Sequence, residues 1–209
     1  MKKVMTKDGS ETFYSKEYTE TYHSTSGALQ EGFEKFVGPS GLFEGCKILD
    51  ICFGIGYNSL AAIHTAIEDN LKISITAIEN DPKIVRRIKD VVMDEKYRKA
   101  HGIIKKVVED KEYKDDLISI KLIIDDARKT VKKLNNKFDF VFFDPFSPKK
   151  HPELWTEEFF KDIYKIMNKG VLTTYSCARV VRDNLRSAGF NVEDGPSIGR
   201  RGPSTIAKK

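Results

Sequence analysis

An α/β fold is predicted, with a mostly parallel seven-stranded sheet covered by helices on both faces and a small hairpin and helix at the N-terminus. Three observations predict it. Short apolar runs rich in β-branched residues recur along the chain, helix-length segments separate them, and the runs are apolar almost end to end. Alternating strand and helix signals indicate a parallel sheet, and unbroken apolarity indicates strands covered on both faces.

Residues 1 to 40 are expected to form an extension packed on a core domain of residues 41 to 209. The extension opens with a hairpin around Asp8-Gly9 in KVMTKDGSETFYS, because an Asp-Gly pair suits a tight turn. YHSTSGALQEGFEKF follows, where Ser24 or Ser26 is placed to cap a helix reaching about Phe36. Core strands are read at CKILDIC (46 to 52), KISITAIE (72 to 79), LISIKLIID (117 to 125), FDFVFFD (138 to 144) and GVLTTYS (170 to 176). Helices are read at YNSLAAIHTAIEDN (57 to 70) and TEEFFKDIYKIMNKG (156 to 170), and again at CARVVRDNLRSAGF. The tail NVEDGPSIGRRGPSTIAKK reads as two more short strands joined by a glycine and arginine loop.

The chain of 209 residues suits one domain large enough to hold its own core. Its net charge of +5 with 32% charged residues gives a mild attraction to polyanions. A membrane span is not expected, since no apolar stretch of about 18 residues occurs, and MKKVMTKDGS lacks the apolar centre of a signal peptide; the expected compartment is the cytoplasm. Cys46, Cys52 and Cys177 are odd in number and far apart, and His23, His64, His101 and His151 make no ligand pattern with them. Neither a metal nor a disulfide is expected, and His64 and His101 read as ordinary helix residues.

After the first core strand comes LDICFGIGYNSL, in which Asp50, Gly54, Gly56 and Asn58 sit where a strand turns into a helix. Glycines there let a ligand approach the backbone. A dinucleotide fingerprint needs a further glycine three residues on, and position 59 is Ser59. An S-adenosylmethionine site needs only an open loop beside the amino acid part and an acid at the end of the next strand for the ribose. Glu79 in ITAIENDP is that acid, able to accept from both ribose hydroxyls. Either nucleotide would use it. Asp125 and Asp126 end the third strand, where a carboxylate suits an adenine amino group.

Asp144 ends the fourth strand at the same edge, followed by Pro145 and Phe146. Proline biases the preceding residue toward an extended backbone, so the carboxylate is held while the phenylalanine offers a flat wall. Such a pair fits methyl transfer to nitrogen. An alkylamine titrates near pH 10, so selecting its neutral form at pH 7 costs about 4 to 5 kcal/mol. Asp144 alone favours the ammonium, whereas a sulfonium at about 4 Å would oppose it by about 4 kcal/mol at an effective dielectric of about 20. Asp144 is therefore cast as the group that aims the lone pair and takes the proton, most of the acceleration coming from alignment.

These motifs resemble the methyltransferase module of the tRNA 5-methylaminomethyl-2-thiouridine synthesis enzyme MnmC, including stand-alone relatives. The likeness runs through TKDGSETFY, YHSTSGALQE, CFGIGYNSL, FFDPFSPKKHPELWT, TYSCARVVRDNLRSAGF and GRRGPSTIA. It implies a Rossmann-like S-adenosylmethionine-dependent methyltransferase fold and methylation of the aminomethyl group of wobble uridine in tRNA. Gly54, Gly56 and Glu79, with Asp50 and Asn58, would hold the cofactor, and Asp126 its adenine. His23, Ser24 and Gln30 would close over it, while Asp144 and Phe146 face the amine. Cys52 departs from the pattern, standing where many methyltransferases place a first glycine. The oxidase half of the bifunctional enzymes is not in this sequence.

A tRNA partner also calls for cations near the edge. Lys149, Lys150, Arg200, Arg201, Lys208 and Lys209 are the candidates, with Phe146 or Tyr175 as stacking partners for a splayed base and Pro145 beside them. Trp155 suits a helix anchor as well as an RNA contact. Rival readings remain: aminopropyl transfer on the same fold, methyl transfer to another small amine, and a catalytically idle cofactor-fold subunit that binds RNA.

Overall fold

A computed structural model of the chain describes residues 1–199 and 202–209. Near the N-terminus, β1 (Lys2–Met5), β2 (Glu11–Ser15) and β3 (Glu20–Thr21) form a three-stranded antiparallel sheet. The main sheet contains β4 (Cys46–Ile51), β5 (Ile73–Glu79), β6 (Glu112–Lys114), β7 (Ile118–Ile124), β8 (Phe138–Phe143), β9 (Met167–Thr174), β10 (Asn191–Asp194) and β11 (Thr205–Lys208). Its order is β10-β11-β9-β8-β4-β5-β7-β6. From β9 to β7 the pairs are parallel, and β6, β10 and β11 add antiparallel edges.

The expected seven strands become an 8-stranded sheet because β6 carries no apolar run. Its sequence, Glu-Tyr-Lys, has one half-buried tyrosine between two exposed charged residues at the sheet edge, so hydrophobic patterning does not mark it. The helix expected over 156 to 170 spans Glu157–Lys165, capped by the Thr156 hydroxyl accepting from the Phe159 amide at 3.2 Å. Met167 already belongs to β9.

Alternate residues of β4 divide the core. Ile48 packs with the helices Tyr57–Glu68 and Arg98–Asp110, whereas Leu49 and Ile51 pack with Phe159, Phe160 and Leu185 on the other side. Each fully buried side chain of this kind contributes about 1.5–3 kcal/mol. The chain leaves β4 for β5 and β7 on one side and returns to β8 and β9 on the other. That reversal places the loop after β4 where ligands bind in open α/β sheets.

The N-terminal helix is also capped differently from expectation. It begins at Ala28, with Gly27 at the cap position, and neither Ser24 nor Ser26 serves it. The hairpin supplies the caps: Ser10 Oγ accepts from the Ala28 amide and Asp8 Oδ2 from the Gln30 amide, each at 3.0 Å. Gly32–Val37 then continues as a π-helix, a winding often found at functional sites. Long-range caps of this kind leave no local signature.

Candidate active site

At the carboxyl edge of the sheet a cavity of about 800 Å³ opens between the N-terminal sheet and the loops after β4, β5 and β8. Cys52, Gly54, Glu79, Asp144, Phe146 and Tyr175 all line it. Gly54 has φ 57, and a Cβ there would lie 3.6 Å from Tyr22 and 3.7 Å from His23 Nε2, narrowing the space beside the loop. Gly56 has φ 83, and a Cβ would come within 2.6 Å of the Phe53 ring. Cys52 has φ 68, a left-handed backbone that glycine adopts more readily. Its place in the turn explains why a glycine is common there.

Glu79 is held by backbone donors: Oε2 accepts from the Gly54 amide and Oε1 from the Asp81 amide, both at 2.8 Å. Burial nevertheless pushes its carboxyl above the ordinary range. Each oxygen retains accepting capacity toward a ligand hydroxyl. Burial likewise keeps the Cys52 thiol protonated, and Glu79 and Asp144 nearby add to that effect.

Asp144 lies deeper. Its amide donates to the Ile51 carbonyl at 3.2 Å, tying the end of β8 to β4. Its Oδ2 accepts from Asn58 Nδ2 at 3.0 Å, and His23 Nδ1 stands 3.7 Å from the same oxygen. Burial raises the Asp144 pKa well above the carboxylate range; Glu31 and Asp50 add to the rise, while Asn58 and Lys35 oppose it. Burial drives His23 down to about 4, so its imidazole is neutral. Neither ring nitrogen has a hydrogen-bond partner among the described residues, and each such buried polar atom costs about 1–3 kcal/mol. Glu31 and Lys35 complete this wall as a buried ion pair at 2.5 Å.

The N-terminal strands roof the cavity. Tyr18 stacks on Phe146 with centroids 4.2 Å apart, and Tyr22 meets the same ring edge-on at 4.9 Å. The flat wall expected of Phe146 is therefore a two-ring stack. Glu20 accepts from the Ser147 amide at 3.1 Å and hydroxyl at 2.5 Å, fastening the roof to the loop after β8. Lys150 Nζ donates to Thr19 Oγ1 at 2.5 Å, so this lysine holds the roof. Lys149 is exposed. Trp155 is an anchor: its indole donates to the Phe146 carbonyl at 2.9 Å while its ring packs on Phe143.

Several predicted residues stand elsewhere. Asp50 does not line the cavity; it is wholly buried under the loop, accepting from Ser59 Oγ at 2.6 Å. Gly56 and Asn58 are also set behind the wall, Asn58 acting through Asp144. Gln30 is exposed and donates to Glu34, because the helix turns Glu31 inward instead. Asp126 lines a smaller adjoining cavity of about 110 Å³ that shares Cys52 and Asn80 with the large one. There Arg128 donates to both Asp126 oxygens, at 3.1 and 2.7 Å, and holds the carboxyl below its usual pKa. Pro145 and Ser24 line the large cavity. Lys208 pairs with Glu193, and Lys209 donates to the Tyr164 and Met167 carbonyls. Arg200 and Arg201 lie outside the described residues.

The sequence reading missed Tyr18, Glu20, Tyr22, Glu31 and Lys35. Only the spacing of Glu31 and Lys35, one helical turn apart, hinted at a pair. Among the described residues no group of three or more His, Cys, Asp or Glu side chains is arranged to hold a metal ion. No helix among them is long and apolar enough to cross a membrane.

Comparison with known proteins agrees with this geometry. The family described as S-adenosyl-L-methionine-dependent methyltransferase matches residues 90–209. An uncharacterised protein of Methanocaldococcus jannaschii, MJ0670, is 37% identical over 99% of this chain and 59% of its own length. The tRNA 5-methylaminomethyl-2-thiouridine biosynthesis bifunctional protein MnmC of Ralstonia nicotianae is 29% identical over 94% of this chain. The chain spans 33% of that protein. The crystal structure of MNMC2 from Aquifex aeolicus superposes with a TM-score of 0.88 at 36% identity, covering 99% of this chain and 70% of that one. With its sheet order, its glycine loop facing Glu79 and this match in hand, the chain belongs to the S-adenosylmethionine-dependent methyltransferases, as an MnmC-like methyltransferase module.

Proposed function

We propose that this methyltransferase modifies tRNA by methylating the aminomethyl nitrogen of a wobble uridine. One observation carries the reading: Asp144 and Phe146, at the end of β8, share one cavity with Gly54 and Glu79. Bound S-adenosylmethionine supplies an electrophilic methyl on a positively charged sulfur. Glu79 would accept from its ribose hydroxyls, the loop at Cys52 and Gly54 would take its amino acid part, and its adenine would extend toward Asp125 and Asp126. The two backbone donors that orient Glu79, and the His23 nitrogens that lack a partner among the described residues, support this fit.

Toward the amine, Asn58 fixes the Asp144 carboxylate so that its other oxygen can accept an N–H and aim the nitrogen lone pair. Phe146, braced by Tyr18, excludes water from one side. Alignment of this kind supplies most of the acceleration of such a transfer. Any enzyme that installs the aminomethyl group would be a separate activity.

Acid-rich walls favour one second reading. Glu17, Glu20, Glu31, Asp81 and Asp144 all line the cavity, as would suit aminopropyl transfer to a polyamine. Against it, Glu31 is neutralised by Lys35, Glu20 is engaged by Ser147, and Asp81 accepts from Tyr22 Oη at 3.2 Å.

The deciding experiment incubates the protein with labelled S-adenosylmethionine and bulk tRNA lacking the final methyl, followed by nucleoside mass spectrometry. A new methylaminomethyl nucleoside is expected. Cofactor binding without transfer would favour an idle RNA-binding subunit. Aminopropyl product from decarboxylated cofactor and a polyamine would favour the second reading.

A further inference from the structure

One buried cation lines the cavity with most of its donors unused. Lys35 is 2% exposed in the π-helical turn Gly32–Val37, and its Nζ donates to Glu31 Oε1 at 2.5 Å. An ammonium has three donors, and among the described residues this is the one bond that Nζ makes. Both residues line the cavity. Burying two charges is costly unless further contacts satisfy them, so the spare donors call for an anion in the cavity. The turn is held from behind: Gly32 packs on the helix Tyr57–Glu68 so closely that a Cβ would stand 3.1 Å from the Tyr57 carbonyl. Glu31 Oε2 accepts from the Ser24 amide at 3.2 Å, tying the pair to the residue after His23. His23 Nε2 in turn faces the glycine loop, 3.7 Å from where a Gly54 Cβ would lie.

We propose that Lys35 binds the α-carboxylate of S-adenosylmethionine while Glu31 accepts from its α-ammonium, and that this pair selects the carboxylated cofactor over its decarboxylated form. The assignment rests on the cofactor placement above and is independent of which amine receives the methyl. The zwitterionic end of the cofactor adds no net charge to the pair, and each of its groups meets the opposite charge. The decarboxylated cofactor ends in a bare ammonium, which leaves the Lys35 donors empty and brings a like charge beside them. That form is the donor that aminopropyl transfer requires. Lys35 therefore sets the type of reaction as well as the affinity.

The other groups of the site leave this role to Lys35. The glycine loop permits close approach but has few donors to spare: the Cys52 and Phe53 amides donate to the Ile78 carbonyl, Gly56 donates to Phe53, and Gly54 donates to Glu79. Of the other basic side chains lining the cavity, burial lowers the pKa of His23 and of His151, so neither offers a cation at pH 7. Lys83 is exposed on the short helix Pro82–Arg86, beyond the acid that would take the ribose. The amino acid chain leaves the ribose at C5′, away from the hydroxyls that Glu79 would hold. Both Glu31 oxygens keep accepting capacity, since a carboxylate offers about four lone-pair sites.

The test measures affinity by calorimetry for S-adenosylhomocysteine, for its decarboxylated counterpart ending in a propylamine, and for 5′-methylthioadenosine, which lacks the charged end. Wild type should prefer S-adenosylhomocysteine to the propylamine by about 10- to 100-fold, as a charge-assisted hydrogen bond implies. The double variant Glu31→Gln, Lys35→Met leaves no charge buried alone and should lose most of that preference, whereas Lys35→Arg keeps the cation and should retain it. Methylthioadenosine should bind every variant within a few fold of wild type, reporting that each folds with its adenosine site intact. A preference that survives in the double variant, or that wild type does not show, overturns the assignment of Lys35. In the wild-type complex with S-adenosylhomocysteine, isotope-filtered NMR should show contacts between the cofactor's Cα proton and the Lys35 ε-methylene. A bound cofactor without that contact overturns the assignment whether or not the variants fold. Wild type that binds neither S-adenosylhomocysteine nor methylthioadenosine overturns the cofactor placement itself, and the role of Lys35 with it.

Discussion

Asn58 Nδ2 donates to Asp144 Oδ2 at 3.0 Å, joining the helix after the glycine loop to the carboxylate at the end of β8. The bond favours the ionised carboxylate against the burial that opposes it. Asn58→Ala should therefore leave Asp144 more often protonated and less well aimed. A hydrogen bond to a charged group contributes about 1.5–3 kcal/mol, so kcat should fall roughly 10- to 100-fold. Cofactor affinity, measured by calorimetry, should stay within a few fold.

Glu79 and Asp144 should separate in the same assay. Glu79→Ala removes the acceptor from the Gly54 and Asp81 amides, each at 2.8 Å, and with it the group offered to the ribose. Its cofactor affinity should fall by roughly 10-fold or more, as a charge-assisted contact implies. Asp144→Ala should abolish transfer while binding S-adenosylhomocysteine nearly as wild type does. Equal loss of binding in both variants would refute the division of roles.

Asp50 gives a stability prediction with a definite sign. Burial pushes its pKa up to about 7, above the unfolded value, despite the Ser59 hydroxyl that favours the anion. A carboxyl raised on folding stabilises the protein fully below its unfolded pKa and loses that contribution as pH rises through the folded value. Each pKa unit corresponds to about 1.36 kcal/mol. Between pH 5 and pH 8 wild type should therefore lose more stability than Asp50→Asn, which keeps the shape and a partner for Ser59. Denaturant midpoints at the two pH values measure the difference, and parallel losses would count against it.

What the sequence reveals about the fold and the site divides by range. β4, β5, β7, β8 and β9 are legible because strands covered on both faces must be apolar throughout. Glu79 and Asp144 are legible because they terminate such strands. The roof is not, because Tyr18, Glu20 and Tyr22 lie in a polar segment without periodicity and reach the site only through the turn between β2 and β3. Gln30 rests on the family resemblance alone, whereas the cavity takes Glu31, one residue and about 100° further round the helix, and the π-helix that follows has no sequence marker. Asp50 reads as a ligand group because it ends the strand before the glycines, whereas its own register buries it beneath the loop.

The roof itself should be movable. Glu20 accepts from Ser147 twice and Thr19 accepts from Lys150, so the turn between β2 and β3 is tied to the loop after β8 by polar contacts at the cavity edge. Deeper in the fold, the same segment is fixed by the Tyr22 amide donating to the Phe13 carbonyl at 3.0 Å. Polar contacts at a half-exposed edge are each worth about 0.5–1.5 kcal/mol, small enough to open when substrate enters. Glu20→Ala should therefore speed amide hydrogen exchange across residues 16 to 22 by roughly 5- to 10-fold, with the global midpoint little changed. If the roof must close over substrate, the same variant should lose kcat more than cofactor affinity. Unchanged exchange would mean that the Tyr18 and Phe146 stack holds the roof without the latch.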